Sequence, residues 1–189
     1  MALSQHNPGP SARARGIPGP GRQPGDVIEL IMADHRRIRR LCQALDDAVS
    51  WSGSSGPDWI PAHVWQRLAS LLDAHMRAEE EICHLPMYAG HAHAAERWEA
   101  VADHDDIREA ISEARLRPAG SRLWGAAAGA ALVITAEHLD REERGPLAAS
   151  LPRLTMRQRR ELGTQYAGFI TAWTLDAAGA AGIHHRVTT

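Results

Sequence analysis

Four segments of the chain repeat apolar side chains at alternating steps of three and four residues, which is the spacing of one face of an α-helix. These stripes cover residues 28–45, 64–82, 100–114 and 124–138. A single histidine interrupts each stripe, in the order His35, His75, His104 and His138. One histidine on an apolar face is most often a hydrogen-bonded core residue, but four at matching places indicate a shared site.

Helix start and stop signals separate the stripes. Asp26 followed by Glu29 is a capping-box pattern, Pro86 ends the second segment, and Thr155 followed by Gln158 opens a fifth helix through about residue 177. The pattern predicts an all-α fold, an up-down-up-down four-helix bundle with an additional C-terminal helix. We expect a disordered Pro/Gly/Arg-rich segment at 1–25, the bundle at 26–150, and the C-terminal helix with a flexible tail at 151–189.

The four histidines stand at similar depths in such a bundle. His35 and His104 come about eight or nine residues after the start of their helices, and His75 and His138 about seven to ten before the end of theirs. These helix ends coincide in an up-down-up-down bundle, and a rise of about 1.5 Å per residue places all four histidines roughly 10–15 Å from that end. The four imidazoles can therefore converge on one point.

A glutamate follows two of the histidines after four residues, in His75-Met-Arg-Ala-Glu79 and His138-Leu-Asp-Arg-Glu142. This spacing puts both side chains on the same helical face. The candidate metal ligands are then His35, His75, Glu79, His104, His138 and Glu142. Imidazole and carboxylate donors suit iron, manganese or zinc better than magnesium or calcium, and repulsion between two buried glutamates favours a pair of cations between them.

The chain resembles the hemerythrin-like (HHE cation-binding) family in an ordered set of four segments: LIMADHRRIRRL, HMRAEEEICHLPMY, VADHDDIREAI and TAEHLDREERGPL. The resemblance covers about residues 26–150. It implies a non-haem di-iron centre, with two Fe ions bridged by both glutamates and by an oxo or hydroxo group, and with zinc or manganese as second choices. Carried over residue by residue, it implies the same six ligands.

The chain departs from the oxygen carriers of that family at one position. They have a second histidine four residues after the one in the third helix, whereas this chain has Arg108, which cannot bind a metal. By the resemblance, about two of the twelve coordination positions of a di-iron pair stay open unless water, Tyr88, Tyr166 or another carboxylate fills them. Open positions favour redox turnover over simple carriage.

The last ligand has a competitor. The final carboxylate of the family often follows its histidine by five residues, which in this chain is Glu143. The four-residue spacing of the earlier pair favours Glu142 instead.

Composition narrows the partners that we expect. The formal charge is −2, and all 21 positive charges are arginines, which is typical of a GC-rich bacterial genome. Nucleic-acid binders normally carry a basic excess, so no nucleic-acid partner is expected. The longest apolar stretch, around residues 124–136, is too short to span a membrane, and the start of the chain lacks a secretory apolar run. The sequence therefore predicts a cytoplasmic protein without membrane contact.

Further positions carry smaller expectations. Three histidines of the expected loop after the second helix lie off the stripes and are expected in solvent: His84, His91 and His93. The acidic residues directly before stripe histidines are expected to orient an imidazole of a neighbouring helix, as metal sites commonly require: Asp34, Asp103 and Glu137. The fifth helix is expected to pack across the bundle, to form a homodimer with a partner subunit, or to cover the metal site.

Three hypotheses of function remain open at this point. In the first, the protein is a di-iron oxidoreductase with redox or catalase-like turnover of peroxide, dioxygen or nitric oxide. In the second, the site binds or senses dioxygen, nitric oxide or iron without turnover. In the third, zinc holds the bundle together. The sequence contains no Gly-rich phosphate loop or other cofactor fingerprint, and it singles out no catalytic residue beyond the metal ligands.

Overall fold

The computed structural model describes residues 25–52, 59–89 and 94–184, and all regular structure in these ranges is helical. The helices are α1 (Val27–Ser52), α2 (Trp59–Ala78), the short α3 (His84–Met87), α4 (Ala94–Arg115), α5 (Arg122–Glu142), the single-turn α6 (Ala148–Ser150) and α7 (Met156–His184). Two five-residue π-helical turns, Glu79–Cys83 and Glu143–Leu147, connect α2 to α3 and α5 to α6. The segment expected to be disordered lies almost wholly outside the described residues.

Four helical rods form the bundle, and α7 packs on the outside of two of them. The rod of α2 and α3 lies beside α1, the rod of α5 and α6 lies beside α4, and α7 contacts α1 and α2. The all-α prediction of a four-helix bundle with an additional C-terminal helix is confirmed. Within the described ranges, none of the helices combines the length and the apolar character that crossing a bilayer requires.

The helices start where the capping signals predict. The Asp26 carboxylate accepts a hydrogen bond from the Ile28 amide at 3.0 Å, so that it caps α1. At the start of α7, the Gln158 side chain accepts from the Thr155 amide at 2.9 Å, and the Thr155 hydroxyl accepts from the Gln158 amide at 3.3 Å. This reciprocal pair is a capping box. The helix that it starts continues to His184, beyond the predicted end near residue 177.

The π-helical turns are a feature that periodicity alone does not predict. Pro146 lies inside the second turn, and Pro86 follows the first by three residues. Proline lacks an N–H and clashes with the carbonyl four residues earlier, and a wider turn relieves that conflict while the chain stays helical. The rod ends at Met87, one residue after Pro86, so the predicted stop holds to within one residue. The change of register buries Cys83 in place of Ile82, the residue that the stripe predicted.

Two apolar clusters form the core. One contains Ile38, Leu45 and Ile107 together with Trp65 and Trp124, whose rings meet edge to face. The other, nearer the start of α1, contains Val27, Ile31, Cys83, Leu147 and Tyr166. Along α1 the sequence runs from Ile31 through His35 to Ile38, so the histidine stands between the two clusters. The level of the bundle at which His35 stands, called the polar layer below, thus has apolar side chains on both sides along the bundle axis.

Candidate metal centre

The six residues expected as ligands all lie in this polar layer. The bundle brings them together from α1, from α2 and its π-helical turn, from α4 and from α5. None exposes more than 7 % of its surface: His35, His75, Glu79, His104, His138 and Glu142. Ionisable groups are rarely buried to this extent unless they are paired or bind a metal.

The imidazoles form two pairs. The ring centroids of His35 and His75 are 5.0 Å apart, and those of His104 and His138 are 4.7 Å apart, with the rings edge to face in both pairs. One pair comes from α1 and α2 and the other from α4 and α5. Each half of the bundle therefore supplies one pair.

The two glutamates lie between the imidazole pairs. Glu79 places Oε1 at 3.3 Å from Nε2 of His75 and Oε2 at 3.5 Å from Nε2 of His104. Glu142 approaches the remaining imidazole of each pair, with Oε2 at 3.2 Å from Nε2 of His35 and at 3.8 Å from Nε2 of the fourth histidine. Each carboxylate thus contacts both halves of the bundle, which is the position of a bridging ligand.

The ligand atoms form two overlapping groups in which all atoms lie within 4.8 Å of one another. The groups share Glu79, and their members are His35, His75, Glu79 and Glu142 in one and Glu79, His104 and His138 in the other. Two ligands bound at about 2.0–2.2 Å and at right angles to a common ion stand about 3 Å apart. The separations of 3.2 to 3.8 Å between Nε2 and carboxylate atoms are close to that spacing.

Hydrogen bonding within the layer also fits a bound metal. Among the described residues, the atoms that face the layer have no hydrogen-bond partner: Nε2 of His35, His75, His104 and His138, both oxygens of Glu79, and Oε2 of Glu142. Leaving a buried polar atom unpaired costs about 1–3 kcal/mol. Seven such atoms converging on one layer form a donor set of imidazole nitrogens and carboxylate oxygens, which suits a pair of transition-metal ions.

The other ring nitrogen of each imidazole does have a partner. Nδ1 lies near Glu143 Oε1 in His35 (2.9 Å), near Glu80 Oε1 in His104 (2.8 Å), near Asp103 Oδ2 in His138 (3.5 Å), and near the Tyr166 hydroxyl in His75 (2.9 Å). When such a partner accepts a hydrogen bond from Nδ1–H, the proton stays on Nδ1 and the lone pair of Nε2 is free for a metal.

The expectations for the residues that precede the histidines have different outcomes. Asp103 of α4 contacts His138 of α5, as predicted. Asp34 reaches an imidazole only through Tyr166, whose hydroxyl donates to Asp34 Oδ2 at 2.9 Å. Glu137 is exposed, so the expectation that it orients an imidazole is wrong.

Sequence reasoning missed Glu80 and did not assign Glu143 its contact with His35. Each directly follows a glutamate that faces the layer, and the repeated Glu-Glu dipeptide is the signal that could have identified both. Successive helical residues point in directions about 100° apart, so the second glutamate reaches a neighbouring helix. The contact of Glu143 with Nδ1 of His35 favours Glu142 as the carboxylate that faces a metal.

Arg108 occupies the position where oxygen carriers have a further histidine, and its guanidinium binds the Glu80 carboxylate at 2.8 Å. Arg39, four residues after His35, binds the Glu143 carboxylate in the same way. Both halves of the bundle therefore repeat one arrangement, in which a histidine and the arginine four residues later hold the same glutamate of another helix.

The pKa values within the layer show which side chains hold protons that a bound cation would displace. Burial and the nearby charge of Glu142 raise the pKa of Glu79 to about 7. Burial opposes the charged imidazolium of His104, but the carboxylates of Glu79 and Glu80 outweigh it and raise the pKa of His104 to about 9. Burial also opposes the ionised form of Glu80, yet His104 and Arg108 lower the pKa of Glu80 to about 2. Without a metal, protons balance the buried carboxylates.

His84 is buried, so the expectation that it lies in solvent is wrong. Only 5 % of its surface is exposed, and its ring stacks on His104 with the centroids 5.5 Å apart. The π-helical turn and α3 carry the rod past Glu79, and this turns His84 inwards. Burial lowers the pKa of His84 to about 4, which keeps the imidazole neutral. The other two histidines expected in solvent, His91 and His93, lie outside the described residues.

A cleft of about 490 Å³ reaches the layer from one side. Its walls include His138 and Glu142 from the layer, together with Tyr88, Asp103 and Arg141. The cleft therefore leads to His138 and Glu142.

The fold and the buried layer define a helical-bundle protein with a candidate cation-binding site. The sequence model of the hemerythrin HHE cation-binding domain matches residues 26–148. The chain therefore belongs to the hemerythrin HHE cation-binding domain family. No curated protein and no solved structure matches the chain.

Proposed function

We propose that this protein holds a dinuclear iron centre that reacts with peroxide, dioxygen or nitric oxide. The observation that carries the proposal is the position of Glu79, whose two carboxylate oxygens contact imidazoles of different pairs and which belongs to both groups of ligand atoms. A single carboxylate shared by two donor groups is suited to bridging two ions rather than binding one.

In this proposal His35 and His75 would hold one ion, His104 and His138 would hold the other, and Glu79 and Glu142 would be shared between them. When bound, an iron pair would supply electron-transfer chemistry that the side chains of the layer lack. The Nδ1 partners hold the imidazoles in orientation, and the two apolar clusters exclude water from above and below.

The cleft supports turnover over closed storage of the metals. It ends at His138 and Glu142, beside the ion that would be bound by the imidazoles of α4 and α5. Arg108 of α4 turns away to bind Glu80, so α4 offers this ion no ligand beyond His104. The side of the centre that the cleft reaches is thus the side that a small molecule could approach.

A binding or sensing role is the alternative, and one observation favours it. Tyr166 of α7 contacts His75 directly, so a change at the centre would reach a helix on the outside of the bundle. In that case ligand binding would be reversible and no product would form.

Metal analysis and optical spectroscopy of aerobically purified protein test the proposal. We expect about two iron ions per chain, an absorption band of the oxygen-bridged pair, and oxygen release on addition of hydrogen peroxide above that caused by free iron. Glu79→Ala should remove the band, whereas Glu81→Ala, an exposed position in the same π-helical turn, should retain it. Stoichiometric zinc in place of iron would indicate a structural site, and a reversible spectral change without oxygen release would indicate binding or sensing.

A further inference from the structure

Tyr166 reaches the polar layer from α7, which lies outside the part of the chain that the family model matches. Its side chain is 2 % exposed. Its hydroxyl lies 2.9 Å from Nδ1 of His75 and 2.9 Å from Oδ2 of Asp34. A carboxylate of α1, a phenol of α7 and an imidazole of α2 are thus connected in series.

The positions of the protons in this series follow from the donors that each group has. The Asp34 carboxylate can only accept when ionised, so the single phenolic proton is donated to it. The phenol itself is protonated at neutral pH, because a tyrosine side chain ordinarily titrates only at about pH 10. The phenol oxygen then accepts from Nδ1–H of His75, and the proton-free Nε2 of that ring faces the layer, where no described residue bonds to it.

Contacts on the preceding turns hold α7 in the register that this series requires. Gly163, three residues before Tyr166 on the same face, lies against Gly25, and a Cβ at that position would overlap the carbonyl oxygen of Gly25. Arg159 forms an ion pair with Asp26 at 2.9 Å, next to the start of α1. These contacts fix α7 against α1 close to the layer.

We propose, on the basis of the metal centre proposed above, that Tyr166 is a positioning residue for His75. Its hydroxyl holds the imidazole in the tautomer that presents Nε2 to the metal, so that the C-terminal helix is part of the centre. His75 differs in this from the other three imidazoles, whose Nδ1 atoms contact carboxylates directly. A chain limited to the matched residues 26–148 would lack this group.

Tyr166→Phe in the full-length chain tests the inference because it removes only the hydroxyl. Loss of a partner that orients a metal-bound imidazole typically lowers metal affinity by about 10–100-fold. We expect a loss of this size for Tyr166→Phe in competition with a chelator. Thr164→Val, which removes a hydroxyl from the exposed side of the same helix, should bind metal as the wild type does.

Nitrogen-15 NMR of histidine-labelled, zinc-loaded protein gives a second measurement, which a purely structural role of Tyr166 would not change. In the wild type we expect a protected proton on Nδ1 of His75, with Nε2 bound to the metal. In Tyr166→Phe that proton should exchange rapidly or move to Nε2. An unchanged His75 resonance would overturn the inference.

A further variant applies if Tyr166→Phe lowers the helix content measured by circular dichroism. Asp34→Ala leaves the tyrosine in place and frees its proton to be donated to Nδ1 of His75, which favours the tautomer that cannot bind through Nε2. A loss of metal affinity of at least about tenfold is then expected, in the range typical of such partners. Affinity equal to that of the wild type would overturn the inference.

These measurements separate this inference from the proposed function. Equal metal affinity in the wild type and in correctly folded Tyr166→Phe overturns the role of Tyr166 alone. Wild-type protein that binds metal but does not react with peroxide, dioxygen or nitric oxide overturns the proposed reactivity alone. Wild-type protein that takes up no metal overturns both.

Discussion

At the scale of single residues, the centre uses two kinds of glutamate that are adjacent in the chain. Glu79 and Glu142 face the layer, and the residues directly after them, Glu80 and Glu143, contact Nδ1 atoms of the other half of the bundle. Spacing along one helix predicted the first kind, because residues four apart share a face. The second kind depends on how helices pack against one another, which no local spacing encodes.

We predict that metal binding responds differently to loss of charge at Glu142 and at the adjacent Glu143. Glu142→Gln weakens a bridging ligand and should reduce the metal content below two ions per chain. Glu143→Gln keeps an oxygen that can accept from His35, so the content should stay at two while the affinity falls by about 10–100-fold.

Metal content by mass spectrometry and affinity by chelator competition check this prediction. Glu80→Gln is the matched variant in the other half of the bundle and should behave as Glu143→Gln does, since Glu80 contacts His104 in the same manner. Loss of an ion in Glu143→Gln together with full content in Glu142→Gln would show that Glu143 is the ligand.

At the scale of elements, the periodicity predicted the four bundle helices and α7, and the capping residues predicted where α1 and α7 begin. The places where helices continue were harder to predict. Pro86 was predicted to end the second segment, and the rod does end at Met87, but the π-helical turn before it shifts the register, and this is why the burial of His84 was missed. Whether a proline ends a helix or widens one turn depends on the packing of the following residues, which is a tertiary effect.

We predict that replacing two glycines of α7 by alanine changes the free energy of unfolding in opposite directions. Gly163→Ala places a methyl group against the carbonyl of Gly25, and relieving the overlap should lower the free energy of unfolding by about 1–3 kcal/mol. At Gly168 a new methyl group meets no other part of the protein within 4 Å beyond the surrounding helix backbone. Gly168→Ala should therefore raise the free energy of unfolding by about 0.5–1 kcal/mol, because alanine favours the helix.

Denaturant unfolding of the metal-free protein, followed by circular dichroism, measures both effects. Limited proteolysis should also cleave within α7 more readily in Gly163→Ala than in the wild type. Equal stability of the two glycine variants would mean that α7 does not dock against Gly25.

At the scale of the whole molecule, the sequence predicts a bundle with a cation site, but it does not identify the molecule that reacts there. The family membership and the buried donor set agree on metal binding. The reactant depends on which coordination positions stay open and on what the cleft admits, and both depend on the joint placement of four rods. The packing of α7 across the bundle was one of the expectations for that helix, and it is confirmed. The contact of Tyr166 with His75 was beyond the sequence, because the two residues are 91 positions apart.

The charge balance of the whole site predicts how metal affinity depends on pH. Without metal, His104, with a pKa of about 9, is protonated at neutral pH, and Glu79, with a pKa of about 7, is partly protonated. A metal must displace these protons, so affinity should rise as the pH increases from about 6 to 9, by up to about tenfold per unit for each proton displaced.

Chelator competition at several pH values, corrected for protonation of the chelator, checks this dependence, and metal addition in weak buffer should release protons. In Glu80→Gln, one of the carboxylates that raise the pKa of His104 is lost, so the rise should level off at a lower pH. Affinity that does not change between pH 6 and 9 would contradict the assigned charges.

The arrangement of donors on four different rods has a mechanical consequence for a chain that holds the proposed metals. Ions bound at once by His35 and Glu142 cross-link positions that are far apart in the sequence and close the chain into nested loops. Because the unfolded chain does not hold these donors together, metal bound only by the native layer would add its binding free energy to the free energy of unfolding. The bound metals would then stabilise the packing of the four rods around the polar layer. A chelator would destabilise the same layer in which the proposed chemistry takes place.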